Sequence, residues 1–298
     1  MAPLSDEARA TLDGVLAGSS RGAVIEADNL DVLAVIPDGA VDLAYADPPF
    51  ATGRRRRLVS IRTGSGEVSR PGFRGEVVNY ETVSDMAWDD DLPLDLHLEA
   101  LAARVRAIHR VLAAHGSLYL HVDWRTVHHV RLLLDEVFGP ERFLNELVWA
   151  YDYGGRARDR WPRKHDTILW YAKGDHWLFD REAIDRIPYM APGLVGPEKA
   201  ARGKLPTDVW WMTIVPPASA ERTGYPTQKP VRLLERIVAA SSGPGDLVLD
   251  PYAGSGTTGV AAARLGRRWL LVDRNPVAVE IARERLAAEE GRAGGAGP

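Results

Sequence analysis

The chain has 298 residues, 45% hydrophobic and 26% charged, an ordinary globular composition with enough length to bury a sizeable core. It has no cysteine, which excludes disulfides, thiolate metal sites and a cysteine nucleophile, and its net charge of -4 gives no whole-molecule attraction for a polyanion. No apolar run is long enough to cross a membrane, and residues 1–7 lack the basic start of a signal peptide, so a soluble, cytoplasmic protein is expected.

Residues 23–28 (AVIEAD) read as a strand, followed by a short helix around 30–36. Residues 41–46 (VDLAYA) form a second strand running into Asp47-Pro48-Pro49-Phe50. Residues 51–87 lose periodicity and carry Arg54, Arg55, Arg56 and Arg57 among Gly and Ser, the pattern of a long mobile loop. Leu98, Leu101, Val105, Ile108 and Leu112 recur at helical steps, predicting a helix over 97–114 stopped by Gly116, then a strand over 117–122. A helix follows on Val127, Val130, Leu134 and Val137, ended by Gly139-Pro140.

The aromatic runs 144–151 and 167–172 can pair across a long, Arg-rich hairpin, whereas 174–226 look irregular. Next come a helix over 230–240, a strand at 247–249, a Gly-rich turn, a helix to Leu265, a strand at 269–272 and a helix on Val279, Ala282 and Leu286. Strands alternating with helices predict an α/β fold with a mostly parallel sheet.

Two motifs carry chemistry. In the first, Asp250, Tyr252, Gly254, Ser255, Gly256 and Thr257 belong to a turn between strand and helix, where glycines let a ligand approach the backbone; Asp273 ends the next strand, where a carboxylate can accept from ribose hydroxyls. This turn also fits a nicotinamide or flavin site, since residues 254–259 satisfy G-x-G-x-x-G. The second motif, Asp47-Pro48-Pro49-Phe50, separates these readings. Its prolines stiffen the chain beside a carboxylate and an aromatic face. Asp47 and the Pro48 carbonyl can accept both N–H bonds of an amino group, drawing its nitrogen lone pair out of conjugation, and Phe50 can stack on a base.

Together these motifs resemble the β group of amino-directed DNA methyltransferases of bacterial restriction–modification, in which the catalytic tetrapeptide precedes the cofactor motif in sequence. Tyr225-Pro226-Thr227-Gln228-Lys229-Pro230 is similar to that family's cofactor-carboxylate motif, and residues 164–171 (KHDTILWY) to one of its strands. The resemblance implies a Rossmann-like methyltransferase fold with permuted motif order and an antiparallel hairpin strand. It implies S-adenosylmethionine as cofactor, held by Asp28, Gln228, Lys229, Asp250, Tyr252, Gly254, Ser255, Gly256, Thr257 and Asp273. Gln228 and Lys229 would sit at a helix start that takes the methionine carboxylate.

The implied reaction is direct methyl transfer to N6 of a flipped-out adenine in double-stranded DNA, since Asp at the first tetrapeptide position is usual for adenine and Ser for cytosine N4. Cytosine N4 transfer and a non-catalytic DNA-binding protein are the rivals. Local basic clusters, Arg54 to Arg57 and Arg156, Arg158, Arg160 and Lys164, are candidate DNA contacts. A homodimer and a cognate restriction endonuclease are candidate partners. His121, His128 and His129 lack a metal-ligand pattern, and Trp210 and Trp211 read as packing. The expected organisation is an N-terminal extension (1–22), a catalytic half (23–175) with basic loop 51–87, a target-recognition region (176–226), a cofactor half (227–290) and a disordered tail (291–298).

Overall fold

A computed structural model describes residues 3–50, 54–71, 77–90, 92–153 and 156–295, with side chains for 3–50, 92–153 and 156–292. The chain divides into two units, Met1–Pro48 with Leu98–Pro298, and Pro49–His97.

The larger unit is built on an eight-stranded sheet of order β1-β10-β9-β2-β5-β7-β6-β8. Its strands are β1 (Gly22–Glu26), β2 (Val41–Ala46), β5 (Leu112–Val122), β6 (Phe143–Ala150), β7 (His165–Ala172), β8 (Val209–Trp211), β9 (Leu247–Asp250) and β10 (Arg268–Asp273). Pairing is parallel throughout except at β7, which runs against both β5 and β6, as the hairpin reading expects.

Both faces of the sheet are covered, so its strands are apolar at nearly every position. In β2, Ala44 and Ala46 enter one core with residues of α1 (Asp6–Leu16), α2 (Asn29–Val35), α3 (Leu94–Val111) and α4 (Val127–Phe138). Leu43 and Tyr45 enter the other, with α6 (Val231–Ser241), α7 (Thr257–Arg264) and α8 (Pro276–Gly295). Among the described residues, no helix is long and apolar enough to cross a membrane.

Several expectations need correction. Residues 54–71 and 77–90 are not loop but an antiparallel hairpin, β3 (Arg54–Pro71) and β4 (Val77–Asp90), which makes up much of the smaller unit. Its β-branched positions were obscured by the arginine run and interspersed glycines. Gly116 does not stop a helix: α3 ends at Val111, and Gly116 lies inside β5, where a Cβ would meet the carbonyl oxygens of Ala113 and Asp42 at 3.0 Å.

The N-terminal extension holds α1, capped by Ser5 and anchored by fully buried Leu12 and Val15. Residues 197–202 form a short helix, α5 (Pro197–Arg202), and Trp210 joins the sheet in β8, paired with Trp149. Trp210 packs as expected, whereas Trp211 is 72% exposed. At the far end, α8 continues to Gly295, through most of the expected tail.

Candidate active site

Asp28, Asp47, Asp250 and Asp273 end or follow β1, β2, β9 and β10. Since these strands are parallel, all four carboxylates reach the carboxyl edge of the sheet, where open α/β sheets bind ligands.

Between β9 and α7 the backbone turns through Gly254 (φ +49°) and Gly256 (φ +76°). Buried Asp250 ties this turn together, accepting from the Tyr252 N–H at 2.9 Å and the Thr258 hydroxyl at 2.5 Å. Asp273 accepts from the N–H groups of Gly254 at 2.8 Å and Asn275 at 2.9 Å. A Cβ on Gly254 would lie 3.2 Å from the Tyr225 ring, one on Gly256 2.7 Å from the Ala282 Cβ, and one on Gly259 2.6 Å from Leu271. The first glycine therefore lets the Tyr225 ring close on the turn, while the other two let α7 close on α8 and β10.

Burial pushes Asp250 up to about 7; hydrogen bonds from Thr258 and Tyr252 oppose this, and the charges of Asp47 and Asp273 add to it. Burial also raises Asp273, against the pull of its backbone N–H partners.

Asp28 caps α2 through the Leu30 N–H at 2.9 Å and receives Arg104 at 3.1 Å. Its neighbour Asn29 is buried, donating to the Pro251 carbonyl at 2.9 Å and accepting from Arg104 at 2.7 Å. Asn29 and Arg104 thus join the Asp28 side of the edge to the glycine turn. Sequence reasoning missed both.

The segment before α6 is backbone-strained. Thr227 has φ +61°, the one positive-φ residue other than glycine among the described residues. Gln228 accepts from both the N–H and hydroxyl of Thr223 at 2.9 Å and donates to the Glu221 carbonyl at 2.7 Å, so its amide is engaged within its own loop. Glu221 also accepts from the Val231 N–H at 3.0 Å, placing the protein's own carboxylate at the helix start where the sequence reading expected the methionine carboxylate. Ser255 and Thr257 are buried; Arg285 donates to their hydroxyls at 3.2 and 3.0 Å.

Lys229 stands at the helix start, directly before the Pro230 N-cap of α6, and its side chain has a partner that the sequence did not announce. Its ammonium donates to Asp47 Oδ2, whereas Asp47 Oδ1 is buried with no hydrogen-bond partner among the described residues. Pro48 is buried, Pro49 exposed and Phe50 half-buried, and Pro49 opens the smaller unit.

A buried polar chain lies on the strands beyond Asp47. The Tyr45 hydroxyl meets His121 Nδ1 at 2.7 Å, His121 Nε2 meets Asp166 at 3.4 Å, and the Tyr151 hydroxyl donates to Asp166 at 3.2 Å. Burial alone would raise Asp166, but the hydrogen bond and charge of His121, together with Lys229 and Tyr151, hold its carboxyl below the usual range. Asp166 was visible in the KHDTILWY strand motif; its link to His121 had no signal in the sequence.

Of the candidate DNA contacts, Arg54 to Arg57 have side chains outside those described. Arg156 lines a surface recess, Arg158 is exposed, Arg160 pairs with Asp159 at 2.5 Å and Lys164 donates to the Asp152 carbonyl at 3.1 Å.

The residues present fit S-adenosylmethionine by the chemistry of their set: a glycine turn bare of side chains at Gly254 and Gly256 stands beside the carboxylates of Asp273 and Asp28 at the ends of neighbouring strands, groups suited to accept from hydroxyl and amino donors. This fold and edge define an S-adenosylmethionine-dependent methyltransferase of Rossmann-like type. Residues 41–284 match the N6/N4 methyltransferase family model, described as DNA methylase, and the chain belongs to that family.

It is 29% identical over 283 residues to the DNA adenine methyltransferase YhdJ of Escherichia coli, covering 90% of this chain and 84% of that one. It is 30% identical over 256 residues to the Type II methyltransferase M.HpaI of Haemophilus parainfluenzae, covering 85% and 70%. Its fold matches the cytosine-N4-specific PvuII DNA methyltransferase with a TM-score of 0.63, covering 92% of each chain at 16% identity. The M1.HpyAVI–SAM complex gives 0.57, covering 89% and 98% at 19% identity.

Proposed function

We propose that this DNA methyltransferase modifies N6 of adenine, with Asp47 holding the amino group. The observation carrying this reading is the buried Oδ1 of Asp47, without a hydrogen-bond partner among the described residues, beside an Oδ2 already taken by Lys229. An orphaned buried acceptor costs about 1–3 kcal/mol, which an incoming N–H donor would relieve. Asp rather than Ser at position 47 favours adenine, and YhdJ, named a DNA adenine methyltransferase, is a relative across most of both chains.

Bound S-adenosylmethionine supplies an electrophilic methyl group. The chain's residues do the rest. Asp273 and Asp28 receive hydroxyl and amino donors, and the turn at Gly254 and Gly256, with Tyr252, Ser255 and Thr257, packs against the ligand. Asp250 keeps that turn in shape, and Gln228 holds the loop carrying Lys229. Asp47, steadied by Lys229, accepts an N–H of the target nitrogen, with the Pro48 carbonyl as second acceptor and Phe50 stacking on the base. Reaching this pocket requires the base to leave the duplex at a cost of a few kcal/mol. Arg54 to Arg57 and Arg156, Arg158, Arg160 and Lys164 are the proposed DNA contacts, and 176–226 the proposed recognition region.

Incubation with radiolabelled S-adenosylmethionine and unmethylated genomic DNA, followed by nucleoside analysis, tests the reading. Label in N6-methyladenine supports it; label in N4-methylcytosine overturns the argument from Asp47.

A further inference from the structure

We infer that a recess formed by Trp124, Arg125, Arg156, Trp161 and Arg163 is a nucleotide-binding site that takes one unstacked nucleotide of the DNA substrate. The inference rests on the family's action on DNA and is independent of whether adenine or cytosine is the target.

Its position follows from the sheet. Ala46 of β2 lies opposite Leu120 of β5, and Val122 of β5 opposite Thr167 of antiparallel β7. Asp47, Trp124 and the connection between β6 and β7 therefore all lie at the same carboxyl edge. In the strand order, β2 separates β9, β10 and β1, which carry the cofactor residues, from β5, β7 and β6, which carry the recess. The recess is thus across Asp47 from the cofactor side.

Its chemistry is that of a ligand with one flat face and one negative charge. The guanidinium carbon of Arg163 lies 3.5 Å from the Trp124 ring centroid, and that of Arg125 lies 4.7 Å from it. Arg125 is paired with buried Asp123, but among the described residues no carboxylate lines the recess itself. The second indole, Trp161, is 92% exposed, an unusual position for so large an apolar surface. A free phosphate would engage the arginines and leave Trp161 idle, and an apolar peptide would leave Arg156 and Arg163 with no negative group in the recess to meet them. A nucleotide uses both, its base against the indole and its phosphate among the guanidinium groups.

The test is fluorescence anisotropy of labelled hexathymidylate with the full-length protein, at several salt concentrations. Thymine has no exocyclic amino group, so binding does not report the methyl-acceptor position. Trp161→Ala should weaken binding about tenfold, within the range of removing one base stack, and Trp161→Phe should restore most of it. Arg163→Gln should lower the salt slope by roughly 0.7, the single-strand value for one phosphate.

Trp161 is exposed, so the thermal midpoint should not move, which separates a binding defect from a folding defect. Unchanged affinity in Trp161→Ala overturns the proposal. So does a change in sedimentation without a change in affinity, which would make the recess an interface between copies of the chain. Nucleoside analysis still reads the target base in each variant, so failure here is distinct from failure of the adenine reading.

Discussion

Lys229 and Asp47 form an ion pair between segments 182 positions apart in sequence, with side chains 10% and 18% exposed. It joins the residue before Pro230 and α6 to the residue after β2, tying the start of that helix to the Asp47-Pro48 segment. Partly buried pairs of this kind couple energetically, since removing one partner leaves the other charge poorly solvated. A double-mutant cycle on Lys229→Met and Asp47→Asn, followed by urea unfolding, should give a coupling energy of about 1–3 kcal/mol. Strict additivity would mean that the pair contributes nothing in solution.

Asp47→Ala should abolish methyl transfer while cofactor affinity, measured by calorimetry, changes less than about threefold, because the residues proposed to hold the cofactor lie mainly at the ends of β1, β9 and β10 and not on β2. Loss of cofactor binding would move the catalytic carboxylate elsewhere.

Gly256→Ala should destabilise the protein by about 2–4 kcal/mol, combining a left-handed backbone with overpacking against α8. Its φ is +76°, and the new Cβ would lie 2.7 Å from the Ala282 Cβ. Ala282→Gly should recover only part of the loss, because the backbone strain persists. Full recovery would assign the whole effect to packing.

Asp250 should make the cofactor-free protein lose stability as pH rises. Its carboxyl is pushed from 3.8 to about 7 by burial, so the folded state binds the proton more tightly than the unfolded chain does. The contribution is fully present below pH 3.8, declines through the window and is gone above about pH 7. Relative to Asp250→Asn, wild-type stability should fall by about 4 kcal/mol across that range, read from urea midpoints. A constant difference between the two proteins would contradict the buried placement.

If Arg54, Arg55, Arg56 and Arg57 bind phosphates, replacing all four with glutamine should reduce the salt slope of duplex binding by up to about 3.6, at roughly 0.9 for each phosphate no longer neutralised. An unchanged slope would make the run a solvated charge cluster.

The alternating core was legible in the sequence because strands covered on both faces read as short apolar runs, as in residues 41–46 and 247–249. The glycine turn was legible because a positive φ leaves glycine few substitutes. The Lys229 ammonium was not, since a lysine beside a helix start suggests an anion site and nothing local announces a partner 182 positions away. Likewise β8 was hidden: three residues are too few to show a period, and Trp210 takes its place by pairing with a strand far upstream. The β3–β4 hairpin was masked by charge, which the eye reads as loop.

The reversal of β7 has an evolutionary consequence. A strand running against its neighbours lets the chain leave and re-enter the sheet at one edge, so the 151–164 connection begins and ends at the carboxyl edge that Asp47 also reaches. Such a connection can lengthen, shorten or be exchanged while every strand pair stays in register. The fold thereby separates what selection must preserve, the paired strands of the sheet, from what it can vary, a connection at the sheet's carboxyl edge whose replacement leaves the strands untouched.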